Sequence, residues 1–303
     1  VIDDNGNLTY SSIKVEIDRV KKIATINIIA ENLNTPKNIE ELQAQKDQSW
    51  MLKTARELDD AILYLRFNEL EIGTWLFKSR GNSKEILAYE KFLNDNNDHS
   101  LANEILLYWK RILKRIDVTS RSLIAIIEPN SCFAGTFAEI LFACDRSYMA
   151  EGTFDDSGDS LAYITLSDVN FGLYPMGNAL TRLETRFLGE PESVQEAKKT
   201  INQALDAKEA NKLGLITYAL DDIDWEDEIR VFLEERVRFS PDAMTGMEAN
   251  LRFPGPETME TRIFGRLTAW QNWIFQRPNA VGEEGALRKY GTGYRGVYDM
   301  NRV

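Results

Sequence analysis

The chain has 303 residues, 43% of them hydrophobic and 28% charged, enough to bury one large core plus an appended lobe and too balanced for wholesale disorder. A formal net charge of −12 speaks against non-specific binding to nucleic acid or anionic membranes, which depends on clustered Lys and Arg. One His and two Cys without CxxC spacing leave little material for a zinc site or a Ser–His–Asp triad.

From the N-terminus, VIDDNGNLTY carries neither a basic region nor an apolar signal core, and no stretch reaches a membrane-spanning apolar length. A cytoplasmic location is therefore expected. KVEIDRVKKIATINII (Lys14 to Ile29) alternates and turns at Val20-Lys21-Lys22, which predicts an opening hairpin. WMLKTARELDDAILYLR (Trp50 to Arg66) repeats apolar residues at helical spacing, and EIGTWLFK (Glu71 to Lys78) reads as the next strand. The turn KSRGNSKE (Lys78 to Glu85) follows, with Lys78, Arg80 and Lys84 clustered in it. Those cations suit phosphate, although a solvated charged turn is the commoner meaning of such a cluster. His99, in the polar stretch NDNNDHS, reads as a solvated loop residue rather than a general base. ANEILLYWKRILKRI is a helix with a basic face.

SLIAII (Ser122 to Ile127) is a short apolar, β-branched run suited to a strand buried on both faces, and EPNSCFAGT then breaks it. FAEILFACDR (Phe137 to Arg146) predicts a helix apolar nearly all round, except for Glu139 in its first turn. An acid there is usually only a favourable end charge, but the same free N–H groups also favour a bound oxyanion. After the acidic loop EGTFDDSGDS (Glu151 to Ser160), a strand is expected from Tyr163 to Val169, with Asp168 closing it, then a Gly/Pro turn and a helix beginning near Asn178. Asp168 alone reads as an ordinary loop-capping Asp. Cys132 precedes a helix N-terminus, where a thiol is activated, yet free Cys is more often a small buried hydrophobe. DAKEANKLGLI ends its helix at Gly214, and after Arg236 the pattern turns helical, with Trp270, Trp273 and Phe275 available for core filling or an oligomer contact. RPNAVGEEG (Arg277 to Gly285) is most economically a surface turn. Alternating strands and helices predict an α/β fold with parallel pairing and right-handed crossovers.

The order SCFAGTFAEILFACDRSYMA, then LSDVNFGLYPMGNALTRL, then ALDAKEANKLGLI resembles the crotonase (enoyl-CoA hydratase/isomerase) superfamily. That resemblance implies a spiral of ββα units: a core over residues 1–235 that binds acyl-CoA, and a helical subdomain over 236–303 that covers the site or contacts another subunit. It implies an oxyanion hole with one N–H from Thr136, Gly135 permitting close approach, and the other from Gly81 or Asn82. Glu139 and Asp168 fall on the family's two catalytic acids, Asp168 one methylene shorter than the usual Glu. Lys78, Arg80, Lys84 and Cys132 complete the implied substrate contacts. No cofactor is implied, CoA being part of the substrate, and neither a metal, a nucleic acid nor a membrane partner.

The segment from Pro241 to Gly293 narrows the likeness to a ring-cleaving branch of that family, a carbon–carbon lyase opening the 2,3-epoxide of benzoyl-CoA with release of formate. Members of that branch carry a further crotonase-like half before this one, which implies a missing N-terminal half, and the family's subunit-contacting C-terminal helices imply a homo-oligomer. A simpler enoyl-CoA hydration and a catalytically silent assembly module are the competing readings.

Overall fold

The computed structural model describes residues 1–154 and 160–302, so the centre of the acidic loop expected at Glu151 to Ser160 lies outside the described residues. A short β1 (Leu8–Thr9) precedes the hairpin of β2 (Ile13–Asp18) and β3 (Ile23–Ala30). The turn falls where the alternation breaks: Lys22 has a positive φ and the Lys21 N–H donates to Asp18 Oδ1 at 2.9 Å. Then come α1 (Ile39–Gln45), α2 (Trp50–Asn68), β4 (Thr74–Gly81), α3 (Ser83–Asp95), α4 (Ser100–Asp117) and β5 (Ser122–Ile127). The central stretch holds β6 (Phe133–Ala134), α5 (Thr136–Ala143), β7 (Arg146–Ala150), β8 (Ile164–Thr165) and a 3-10 turn at Asp168–Phe171. The chain continues through α6 (Arg182–Arg186), α7 (Pro191–Lys198), β9 (Ala204–Leu205), α8 (Ala207–Lys212), β10 (Tyr218–Leu220) and α9 (Asp222–Val237). The last part is helical: α10 (Pro241–Arg252), a π-helical stretch at Thr261–Leu267, α11 (Thr268–Ile274), α12 (Pro278–Val281) and α13 (Ala286–Lys289).

Seven strands form the main sheet in the order β1-β2-β3-β4-β5-β7-β10, parallel from β3 onward, and β6, β8 and β9 form a second, small sheet. All six residues of β5 are buried, as its unbroken apolar run requires. On one side α4 packs on α2, Ile105, Trp109, Ile112 and Ile116 meeting Ala55, Leu58 and Ile62 in one core; each Ile or Leu side chain taken from water there contributes about 1.5–3 kcal/mol. The Trp109 indole N–H finds the Met51 carbonyl at 3.1 Å.

Four boundaries differ from the sequence reading. β4 begins later and runs on through Gly81, because its parallel pairing with β3 continues to Ala30; Lys78, Arg80 and Gly81 are therefore strand residues rather than loop. α5 stops at Ala143, since Asp145 is drawn onto β5, its carboxylate accepting the Leu123 N–H at 2.8 Å. The strand expected from Tyr163 to Val169 is only Ile164–Thr165, leaving Asp168 at the start of the 3-10 turn. The helix expected near Asn178 begins at Arg182, capped by Thr181 and Glu184 in a reciprocal box.

The C-terminal helices are tied to the core by ions. Arg252 forks onto Asp145 at 2.8 and 2.7 Å and donates to the carbonyls of Thr119 and Arg121; Glu248 accepts from Arg236 at 3.1 Å and from the Ser122 hydroxyl at 2.5 Å. Trp270 and Trp273 stack edge-to-face at 5.4 Å, while Phe275 stays exposed. No helix among the described residues is long and apolar enough to cross a membrane.

Candidate active site

α5 is apolar all round and fully buried, so its one acid is buried with it: Glu139 is 1% exposed. Both its oxygens have partners. Oε2 accepts from Arg182 Nη1 at 2.7 Å, and Oε1 from the Asn170 amide at 2.8 Å. Arg182, in the first turn of α6, is equally buried and forks onto Asp117 at the end of α4 with bonds of 3.0 and 2.7 Å; its Nη1 also reaches the Tyr174 carbonyl at 3.0 Å. One guanidinium thus joins α4, α5 and α6 through two carboxylates. Burial raises the Glu139 and Asp117 carboxyls above their usual range, opposed by the charge of Arg182.

Asp168 is not part of this cluster. It is exposed, whereas Asn170, two residues on, is fully buried and bonds Glu139, the Gly135 carbonyl and the Ser167 N–H. A 3-10 turn rotates about 120° per residue, which sends residues two apart to different sides. The expected acid pair is therefore Glu139 with an amide, and the second acid faces solvent.

The expected oxyanion donors are also engaged. The Thr136 N–H donates to Glu90 Oε2 at 2.5 Å, Gly81 N–H to the Asn130 carbonyl at 3.1 Å, Asn82 N–H to the Ala30 carbonyl at 3.2 Å, and Gly135 N–H to the Thr165 carbonyl at 3.0 Å. Asn82 caps α3, accepting the Lys84 N–H. Glu90, on α3, is 3% exposed; its other bonds come from the Thr136 hydroxyl at 2.7 Å and the Ser167 hydroxyl at 2.5 Å, and burial pushes its carboxyl up to about 7.

The expected substrate contacts do not share one partner. Lys78 pairs with Glu128 at 2.8 Å, Arg80 with Glu31 at 3.6 Å, and Lys84 is exposed. Cys132 is fully buried, its N–H bonded to Ser79, and desolvation pushes its thiol up to about 12. His99 caps α4, with Nδ1 accepting the Leu101 N–H at 3.3 Å. Two open clefts, of about 900 and 1010 Å³, flank α9; Asp117 and Arg182 line the first, and neither is lined by Glu139 or Asp168. Among the described residues no group of three His, Cys, Asp or Glu is placed to hold a metal.

Reading the sequence for motifs missed Glu90, Asp117, Asn170 and Arg182. Two of them left a signal. Glu90 shares the apolar face of α3 with Ile86, Tyr89 and Leu93, and Asp117 extends the stripe of Leu113 and Ile116 on α4, so each is a charge at a core position.

No family model matches the chain. Among solved structures it superposes on an enoyl-CoA hydratase from Geobacillus kaustophilus HTA426 with a TM-score of 0.67 at 16% identity, covering 97% of this chain and 98% of that one. An enoyl-CoA hydratase/isomerase from Cupriavidus metallidurans CH34 gives 0.60 at 18%, covering 90% and 91%. The chain has the crotonase fold.

In sequence it is similar to benzoyl-CoA-dihydrodiol lyase of Aromatoleum evansii, 46% identical over 302 residues. The match covers all of this chain and 53% of that protein, so the chain spans about half the relative's length and corresponds to its C-terminal half.

Proposed function

We propose that this chain is the C-terminal half of a lyase acting on a dihydrodiol or 2,3-epoxide of benzoyl-CoA, and that within it this half is a structural unit rather than the seat of catalysis. The lyase reading rests on 46% identity along the whole chain to a relative of that name. For the whole protein the reaction is hydrolytic ring opening, water being taken up as a carbon–carbon bond is cleaved and formate and a ring-opened semialdehyde CoA thioester are released, with CoA entering as part of the substrate.

The observation that carries the structural role is the Arg182 bond to Glu139 at 2.7 Å. A general acid or base must reach the proton it moves. Glu139 instead spends one oxygen on a buried guanidinium and the other on Asn170, while Asp168 lies in solvent. Using the two as an acid–base pair requires breaking a buried ion pair, which costs about 3–5 kcal/mol. The ion network bracing α4, α5 and α6 suits a rigid platform, and the remaining length of the relative leaves room for a second unit of this size to supply the acids.

The test is formate release from 2,3-epoxybenzoyl-CoA by the two-half protein carrying Asp168→Asn. Turnover within about twofold of the parent is expected. Since a positioned acid or base contributes about 10²–10⁴-fold, a loss of a hundredfold or more overturns the structural reading.

A further inference from the structure

Glu90 is a buried carboxyl held without a cation. Its three hydrogen-bond donors, the Thr136 N–H, the Thr136 hydroxyl and the Ser167 hydroxyl, are all neutral, and they converge from α5 and from the residue preceding the 3-10 turn. The Thr136 N–H is the first of α5, where the helix end favours negative charge. Gly135 shows how closely the backbone approaches: its φ is +51°, and a Cβ built there would come within van der Waals overlap of both Glu90 oxygens. Glu90 reaches the position from a different element, two turns into α3, packed beside Ile86, Tyr89 and Leu93.

We infer that Glu90 is an internal ligand, its carboxylate filling an oxyanion site made by the Thr136 N–H and the Thr136 and Ser167 hydroxyls, and that this occupation closes the half to external carboxylates and acyl thioesters. The inference deepens the structural reading above and rests on it. An intramolecular ligand competes without losing the translational and rotational freedom that an external one gives up on binding. Removing the side chain at Cβ leaves three convergent donors in a dry cavity, a site shaped for a small carboxylate. Formate and acetate are the chemical class it takes.

The experiment compares thermal unfolding of the 303-residue chain and its Glu90→Ala and Glu90→Gln variants in sodium formate, sodium acetate and, at equal ionic strength, sodium chloride. Formate or acetate should raise the midpoint of Glu90→Ala saturably, by about 2 °C or more over chloride, through ligand linkage. The wild type and Glu90→Gln, whose amide keeps the cavity filled, should respond to the carboxylates as they do to chloride. A folded Glu90→Ala variant that shows no difference between carboxylate and chloride overturns the inference. If Glu90→Ala does not fold in any of these salts, the Thr136 amide proton decides: an upfield move from wild type to Glu90→Gln supports a charged acceptor on that N–H, and an unchanged position overturns it. Lost turnover in Asp168→Asn sinks the structural reading without altering the formate response, so the two failures are distinguishable.

Discussion

Arg182→Met removes the charge that joins three helices while keeping much of the side chain's volume. Arg182, Asp117 and Glu139 are each at most 2% exposed, and the guanidinium supplies two bonds to Asp117 and one to Glu139. Glu139 keeps Asn170 after the change, whereas Asp117 loses both bonds to the guanidinium. Breaking a buried pair by deleting one partner costs about 3–5 kcal/mol. Protonating the stranded Asp117 instead costs about 4 kcal/mol at pH 7 for a carboxyl with an ordinary value near 4, so a loss of about 4 kcal/mol is expected. The pH dependence has a definite sign. Without the guanidinium the folded-state values of both acids rise further above their unfolded ones, so the folded variant binds protons more tightly. Its stability is then fully present below the unfolded values and is lost as pH rises through the folded ones. Urea unfolding at pH 5 and pH 7.5 should show a deficit that shrinks at the lower pH, and the triple variant R182M/D117N/E139Q should regain more than half of it. A variant within about 1 kcal/mol of wild type at pH 7, or an equal deficit at both pH values, refutes the idea that one cation balances two buried acids.

Three further outcomes follow from the same geometry. Glu90 has a folded-state value raised by burial to about 7 from an ordinary 4.5, so stability should fall by about 3 kcal/mol as pH rises through that interval and then level off; Glu90→Gln should flatten the profile in chemical unfolding. Gly135→Ala places a methyl against the Glu90 carboxylate at a positive φ, and a loss of about 2 kcal/mol or more is expected by thermal denaturation; a neutral substitution would mean the backbone there has slack. Cys132, fully buried with its thiol pushed up to about 12, should resist alkylation by iodoacetamide at pH 8 in the folded chain and react promptly in urea; rapid labelling of the native protein at this residue contradicts its placement.

Much of the fold was legible from local pattern. The alternation of β2 and β3, the helical spacing of α2 and α4, and the all-apolar run of β5 each place a face against the core wherever the chain goes, and the end of α8 near Gly214 follows from that residue's positive φ. The order of motifs around Glu139 and Asp168 was equally readable, and it pointed to the fold that superposition finds. What pattern did not carry is which groups meet. Asp168 and Asn170 are two residues apart, and only the 3-10 turn decides that the amide goes inward and the acid outward. Glu90 and Thr136 are 46 residues apart, Arg182 and Asp117 are 65, and no local periodicity encodes contacts at such separations. A residue's exposure and backbone conformation are written largely in its neighbours along the chain, whereas the partner of a buried charge is set by packing between elements. For this chain that packing placed a guanidinium and a third carboxylate where the sequence alone suggested water and substrate.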